Sequence, residues 1–70
     1  MMKLISIVTA CFNEEENVER LYESVKEVML QKLDDYEYEH IFIDNASTDK
    51  TVSILKQIAQ KDKNIKLIIN

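Results

Sequence analysis

Apolar residues cluster along the chain in two rhythms, short continuous runs and helical stripes, and the two alternate. Lys3–Thr9 reads KLISIVT, an apolar run rich in β-branched residues. Near-continuous hydrophobicity of this kind predicts a parallel strand covered on both faces. From about Glu14 to Gln31, Val18, Leu21, Tyr22, Val25, Val28 and Met29 recur at helical spacing, with Glu19, Arg20, Glu23, Lys26 and Glu27 on the outer side. Asn13 is positioned to cap this helix, and Glu14, Glu15 and Glu16 lie where the helix dipole favours negative charge. Lys32–Glu39 is polar and predicts a loop; Tyr38–Asp44, YEHIFID, predicts a second strand that ends on a carboxylate. After a turn at Asn45–Asp49, with Ser47 or Thr48 as a cap, a second helix over roughly Lys50–Lys61 carries Val52, Leu55, Ile58 and Ala59 on one side. A turn at Asp62–Asn64 leads into a third apolar strand, Ile65–Ile69.

This order predicts an α/β fold: a β-α-β-α-β start of a parallel sheet, Rossmann-like. Right-handed crossovers that advance in one direction put both helices on one face of the sheet. The opposite face, equally apolar by sequence, then lacks a cover, and open edges invite pairing with another chain. Residues 1–70 are therefore expected to be the N-terminal, nucleotide-binding part of a larger domain, too short to act alone and prone to self-association.

Composition narrows the picture. The chain has 70 residues, and a domain near this size buries only about 60% of the surface its unfolded chain exposes. One cysteine, Cys11, excludes an internal disulfide, and one histidine, His40, leaves no cluster for structural zinc. A net charge of -4 without a cationic face argues against nucleic acid and against a polybasic membrane patch. No apolar run approaches the length of a transmembrane helix. Met1-Met2-Lys3 followed by Leu4–Val8 and Thr9-Ala10-Cys11 has the outline of a short export signal, but the apolar stretch is too brief and three glutamates follow at once. Glycine and proline are both absent, where average usage would give about eight together. Turns must then be built from Asn, Asp and Ser, and no glycine-rich phosphate loop is possible.

Open parallel sheets bind ligands outside the carboxyl ends of their strands. Two loops meet that description, Thr9–Glu14 and Asp44–Asp49. Adjacent strands lie about 4.8 Å apart, which lets Phe12 and Asp44 address one small planar ligand. An aromatic ring there can stack a base, worth roughly 1–3 kcal/mol, and a strand-end carboxylate can accept from a ring N–H or a ribose hydroxyl. A phosphate at the glutamate-rich start of the first helix would meet like charge, so a diphosphate must be neutralised elsewhere, most simply by a metal held beyond Asn70.

These two segments carry a resemblance. SIVTACFNEEENV, from Ser6, is similar to the opening motif of glycosyltransferase family 2, V-x-P-x-Y-N-E-E-x-N, and HIFIDNASTDKT, from His40, resembles its second motif, V-D-D-G-S-x-D-x-T. The nearest likeness is to the polyprenyl-phosphate-linked branch, and it covers essentially the whole chain. The resemblance implies a GT-A fold and transfer of a sugar, with inversion, from a UDP- or GDP-sugar to an acceptor such as a lipid phosphate. It assigns Ala10, Phe12, Glu14, Asp44 and Asn45 to the nucleotide site, with Asp44 at the base. It also implies Mg²⁺ or Mn²⁺ and a catalytic carboxylate, with ligands and base downstream; the sequence has no D-x-D. No catalytic and no metal-binding residue is expected within residues 1–70. The implied location is cytoplasmic, at the inner membrane face through downstream segments. Ala10 stands in place of the motif's proline, Phe12 of its tyrosine, and Asn45-Ala46 of Asp-Gly.

Ordinary structural roles compete for the same residues. Asn13, Ser47, Asp49 and Thr51 read as caps, Cys11 as a packed thiol, His40 as a strand residue, and Tyr22, Tyr36 and Tyr38 as packing or surface positions. The other functional class is a non-catalytic α/β module, receiver-like or protein-binding. A receiver, however, requires paired acids after its first strand, where this chain has Thr9-Ala10-Cys11.

Overall fold

The computed structural model describes residues 3–32 and 36–70. Its elements are β1 (Lys3–Cys11), α1 (Val18–Lys32), β2 (Tyr36–Asp44), α2 (Thr51–Lys61) and β3 (Ile65–Ile69). The strands form one parallel sheet in the order β1-β2-β3. The expected α/β architecture is therefore present, with strands longer than foreseen at two ends. β1 runs on to Cys11, and β2 begins at Tyr36 because Lys3–Cys11 pairs with Tyr36–Asp44 residue for residue. Of the loop expected over Lys32–Glu39, Leu33–Asp35 lie outside the described residues, as do Met1 and Met2 of the export-like segment.

The pleat sorts β1 cleanly. Ile5, Ile7, Thr9 and Cys11 turn inward, while Leu4, Ser6, Val8 and Ala10 are exposed. In β2 the inward set is His40, Phe42 and Asp44, and Ile65 continues it in β3. These residues are covered by the helices, with Val18 and Tyr22 of α1 and Leu55 and Ile58 of α2 buried in the same core. Cover on both faces of β1, expected from its apolar run, is met on one face only. Leu4, Val8 and Ile68 on the other face stay at least half exposed, the outcome of two crossovers of the same hand.

The α1 stripe is narrower than its sequence suggests. Val18, Tyr22, Val25 and Met29 form the inward seam, spaced four, three and four residues apart, while Leu21 and Val28 face outward. Regular helix starts at Val18 rather than near Glu14. The preceding residues make a single turn in which the Asn17 and Val18 amides both donate to the Glu14 carbonyl, at 2.9 and 2.8 Å. At the far end of α2, Asp62 replaces the missing glycine. Its amide donates to the Ile58 carbonyl and its Oδ1 accepts from the Asn64 amide at 2.9 Å, an Asx turn that delivers the chain to β3.

Candidate nucleotide site at the carboxyl ends of the strands

The loops after β1 and β2 are neighbours because their strands are, and Cys11 pairs with Asp44 as the last step of the ladder. The Asn45 amide extends that ladder by donating to the Cys11 carbonyl at 2.9 Å. Beyond it, polar side chains take over. The Asn13 amide donates to Ser47 Oγ at 2.9 Å, and Asn13 Oδ1 accepts from the Thr48 amide at 2.8 Å. The Glu14 amide donates to Thr51 Oγ1 at 2.8 Å, and the Glu15 amide to Asp49 Oδ2 at 3.2 Å.

The helix start of one unit is therefore capped by side chains of the next. This corrects the expected caps. Asn13 does not cap α1, because its side-chain oxygen is committed to Thr48. Ser47 and Thr48 do not cap α2 either. Asp49 accepts from the Thr51 amide and hydroxyl, at 2.9 and 2.5 Å, and so closes the turn into α2 while also reaching Glu15. Partial desolvation would raise the Asp49 pKa, but the Thr51 hydroxyl, the Thr51 amide and the Glu15 amide outweigh it and hold the carboxyl below its ordinary value.

Two residues without glycine's freedom occupy the left-handed region, Asn13 at φ 50° and Ala46 at φ 60°. Asparagine tolerates this conformation; alanine pays a steric penalty of about 1–2 kcal/mol.

The five residues assigned to the nucleotide site do not share one environment. Phe12 is 57% exposed, a free ring at the mouth. Ala10 is exposed on the open face of the sheet, whereas Asp44 lies on the helix-covered face, so the two point to opposite sides. Glu14 is half-buried, and its Oε2 accepts from Asn17 Nδ2 at 3.4 Å. Asn45 is exposed, with Oδ1 accepting from Asn70 Nδ2 at 3.1 Å. Asp44 is 0% exposed. Its Oδ2 accepts from the Ser47 amide at 2.9 Å and its Oδ1 from the Ser47 hydroxyl at 2.5 Å. As arranged here, Asp44 fastens the turn beneath the site, and Asn45 is the polar group of that turn that reaches solvent.

Sequence reasoning missed the pairing of Thr9 with His40. Thr9 Oγ1 and His40 Nε2 are 2.9 Å apart across neighbouring strands, and the imidazole stacks on Phe42 with ring centroids 4.0 Å apart. His40 Nδ1 is buried without a partner. An N–H there would be an orphan donor, so the network assigns the proton to Nε2, donating to Thr9. Burial lowers the His40 pKa accordingly. Cys11 is also buried, and desolvation, then Asp44 and Glu14, push its thiol up, which makes it a packed thiol and no nucleophile. The Thr9–His40 pairing had no local signal, since it joins residues 31 positions apart.

A well-formed cavity lies elsewhere. About 760 Å³ opens at the amino ends of the strands between Tyr22, Lys26, Tyr38, Ile58 and Lys63. It is a cleft left where α1 passes the α2–β3 turn, and none of the motif residues lines it. Among the described residues no group of three or more His, Cys, Asp or Glu side chains converges to hold a metal ion. Among the described residues, too, no helix is long and apolar enough to cross a membrane.

Comparison with known proteins bears on this end of the sheet. The model of the family described as "Glycosyl transferase family 2" matches residues 6–70. The chain belongs to glycosyl transferase family 2. It is 43% identical over 58 residues to the bactoprenol glucosyl transferase of Shigella phage SfV, covering 83% of this chain and 18% of that protein. A prophage bactoprenol glucosyl transferase homolog of Escherichia coli is 41% identical over the same share of each. An uncharacterized glycosyltransferase of Bacillus subtilis, YkcC, is 35% identical over 63 residues, 90% of this chain and 19% of its own. The chain thus spans about a fifth of the length of the relatives it matches. Both motif loops fall inside the family match, and the family and its polyprenol-linked relatives agree with the resemblance read from those loops.

Proposed function

We propose that residues 1–70 are the donor-nucleotide part of a glycosyltransferase domain. The full-length protein moves a sugar, with inversion, from a UDP- or GDP-sugar to a polyprenyl phosphate. The observation that carries this reading is the pair of motif loops, stitched side by side at the carboxyl ends of a parallel sheet, with the Phe12 ring free above them. Family membership and the glucosyl and bactoprenol chemistry in the relatives' names support the sugar and acceptor classes.

In this reading Phe12 stacks on the base, and Asn45 supplies the hydrogen-bonding group that faces it. Glu14 lines the pocket from the start of α1, and Ala10 borders it at the end of β1. Asp44 acts from beneath, holding Ser47 and thereby the turn that presents Asn45. A divalent cation, Mg²⁺ or Mn²⁺, would neutralise the departing diphosphate, held by residues outside this segment, as would the carboxylate that activates the acceptor. Acceptor chemistry of this kind places the reaction at the inner face of the membrane.

The test is transfer of labelled sugar from UDP-glucose, and from a GDP-sugar, to undecaprenyl phosphate by the full-length protein, with and without a chelator. Transfer from one donor, abolished by chelation and by Phe12→Ala, is expected. Lack of transfer from either, together with no calorimetric binding of UDP or GDP, would overturn the proposal. The isolated 70-residue chain is expected to bind nucleotide weakly and to transfer nothing; turnover by it would contradict the assignment of the reacting groups to other segments.

A further inference from the structure

Asn13 is tied to the second loop twice, through its amide to Ser47 Oγ and through its side-chain oxygen to the Thr48 amide. We propose that Asn13 and Ser47 are positioning residues, a latch that makes the Phe12 side and the Asn45 side of the nucleotide site form as one unit; this rests on the nucleotide-binding reading above.

The argument follows the hydrogen bonds outward from Phe12. The Asn13 amide shares a planar peptide unit with the Phe12 carbonyl. Holding that amide on Ser47 Oγ at 2.9 Å therefore fixes the backbone on which the exposed ring stands. The Ser47 hydroxyl passes the bond on to Asp44 Oδ1, and the Ser47 amide donates to Asp44 Oδ2, so the same serine closes the turn that contains Asn45. The Asn13 side chain adds a second tie by accepting from the Thr48 amide at 2.8 Å. Thus a continuous chain of bonds leads from the peptide under the ring, through one hydroxyl, to a carboxyl with no solvent exposure.

The residue type at position 13 follows from two simultaneous demands. Its φ of 50° disfavours most side chains, and its side chain must end in an acceptor three bonds beyond Cα. Asn and Asp satisfy both; Gly satisfies the first alone, and Ala neither. Neither Asn13 nor Ser47 needs to touch the ligand. Each acts by removing the freedom that binding would otherwise have to freeze.

The experiment uses the full-length protein, with UDP and GDP as probes in calorimetry, sugar-transfer kinetics and thermal melting. Asn13→Ala and Asn13→Gly are expected to raise the nucleotide Kd and the donor KM about tenfold, with a smaller change in kcat, as fits loss of preorganisation. Asn13→Asp should restore the Kd to within about threefold, because it keeps both the acceptor and the left-handed backbone. Ser47→Ala should weaken binding similarly, and the Asn13→Ala/Ser47→Ala pair should be less than additive, the mark of one shared device. The Gly and Asp variants keep the test decisive if Asn13→Ala folds poorly.

A lowered melting temperature with the nucleotide Kd unchanged in Asn13→Gly would overturn the latch and leave the nucleotide site standing. A wild-type protein that binds neither UDP nor GDP would overturn the nucleotide-binding reading itself, and the latch with it.

Discussion

The two ends of the sheet are built on different principles. At the amino ends, α1 and the α2–β3 turn meet through a strong polar contact, the Tyr22 hydroxyl donating to Asp62 Oδ2 at 2.8 Å, beside a cavity of about 760 Å³. Burial, then the Asp62 hydrogen bond, raises the Tyr22 pKa, so the phenol stays a donor throughout the ordinary pH range. At the carboxyl ends there is far more bonding, with Asn13, Ser47, Asp49 and Thr51 each tying one loop to the other. The cavity alone would direct attention to the first end. Convergence of polar groups from separate segments points to the second, where the family motifs also fall.

Substitutions can break this contrast. The largest effect is expected for Asp44→Ala, which removes the buried acceptor of both the Ser47 amide and the Ser47 hydroxyl. The loss should be about 2–4 kcal/mol in denaturant unfolding, with nucleotide affinity of the full-length protein falling at least about tenfold. Comparable loss of affinity from a change at the amino ends would remove the functional distinction between the two.

Acid probes the middle of the sheet and the loops separately. His40 has a folded pKa below its ordinary 6.5, so the unfolded chain binds the proton first. Stability should thus be full above that value and decline as pH falls through and below it, by at most about 1.4 kcal/mol per pH unit. Asp49 acts in the same direction at lower pH, with a folded pKa below 3.8. Its contribution is present above that value and is lost as pH falls through the lower folded pKa. Urea titrations of the wild type and His40→Gln between pH 7 and 5 should differ in slope; parallel curves would show that His40 is not the titrating group.

Tyr22→Phe should remove the amino-end tie at a cost of about 1 kcal/mol while leaving nucleotide affinity unchanged, a direct contrast with Asp44→Ala in the same assays. Smallest is a gain: Ala46→Gly relieves a left-handed alanine and should stabilise the second turn by about 0.5–1 kcal/mol, after glycine's larger chain entropy is allowed for. A loss of stability instead would mean that the φ of 60° at Ala46 carries no strain.

Much of this was legible in the residues themselves. The element order, the single helix-covered face and the two motif loops all follow from period and punctuation, because apolar spacing records which side of an element meets a core. Phe12 as a free ring and Cys11 as a packed thiol were equally readable. Other features were not. Leu21 and Val28 have the hydrophobicity of core residues, yet they lie outside the seam that α1 buries. Ala10 and Asp44 belong to one motif-based site by sequence, but the pleat and register turn them to opposite faces of the sheet.

The chain by itself thus determined the order of its elements and which loops lie at the carboxyl ends, since both depend on local spacing. What those polar loop residues bind was decided only in three dimensions. Asn13, Asp49 and Thr51 are each good local caps, and a local bond is what sequence reading predicts for them. Parallel pairing of β1 with β2 brings a second loop within hydrogen-bonding distance, and amides of the first loop that would otherwise face water find acceptors more than thirty residues away.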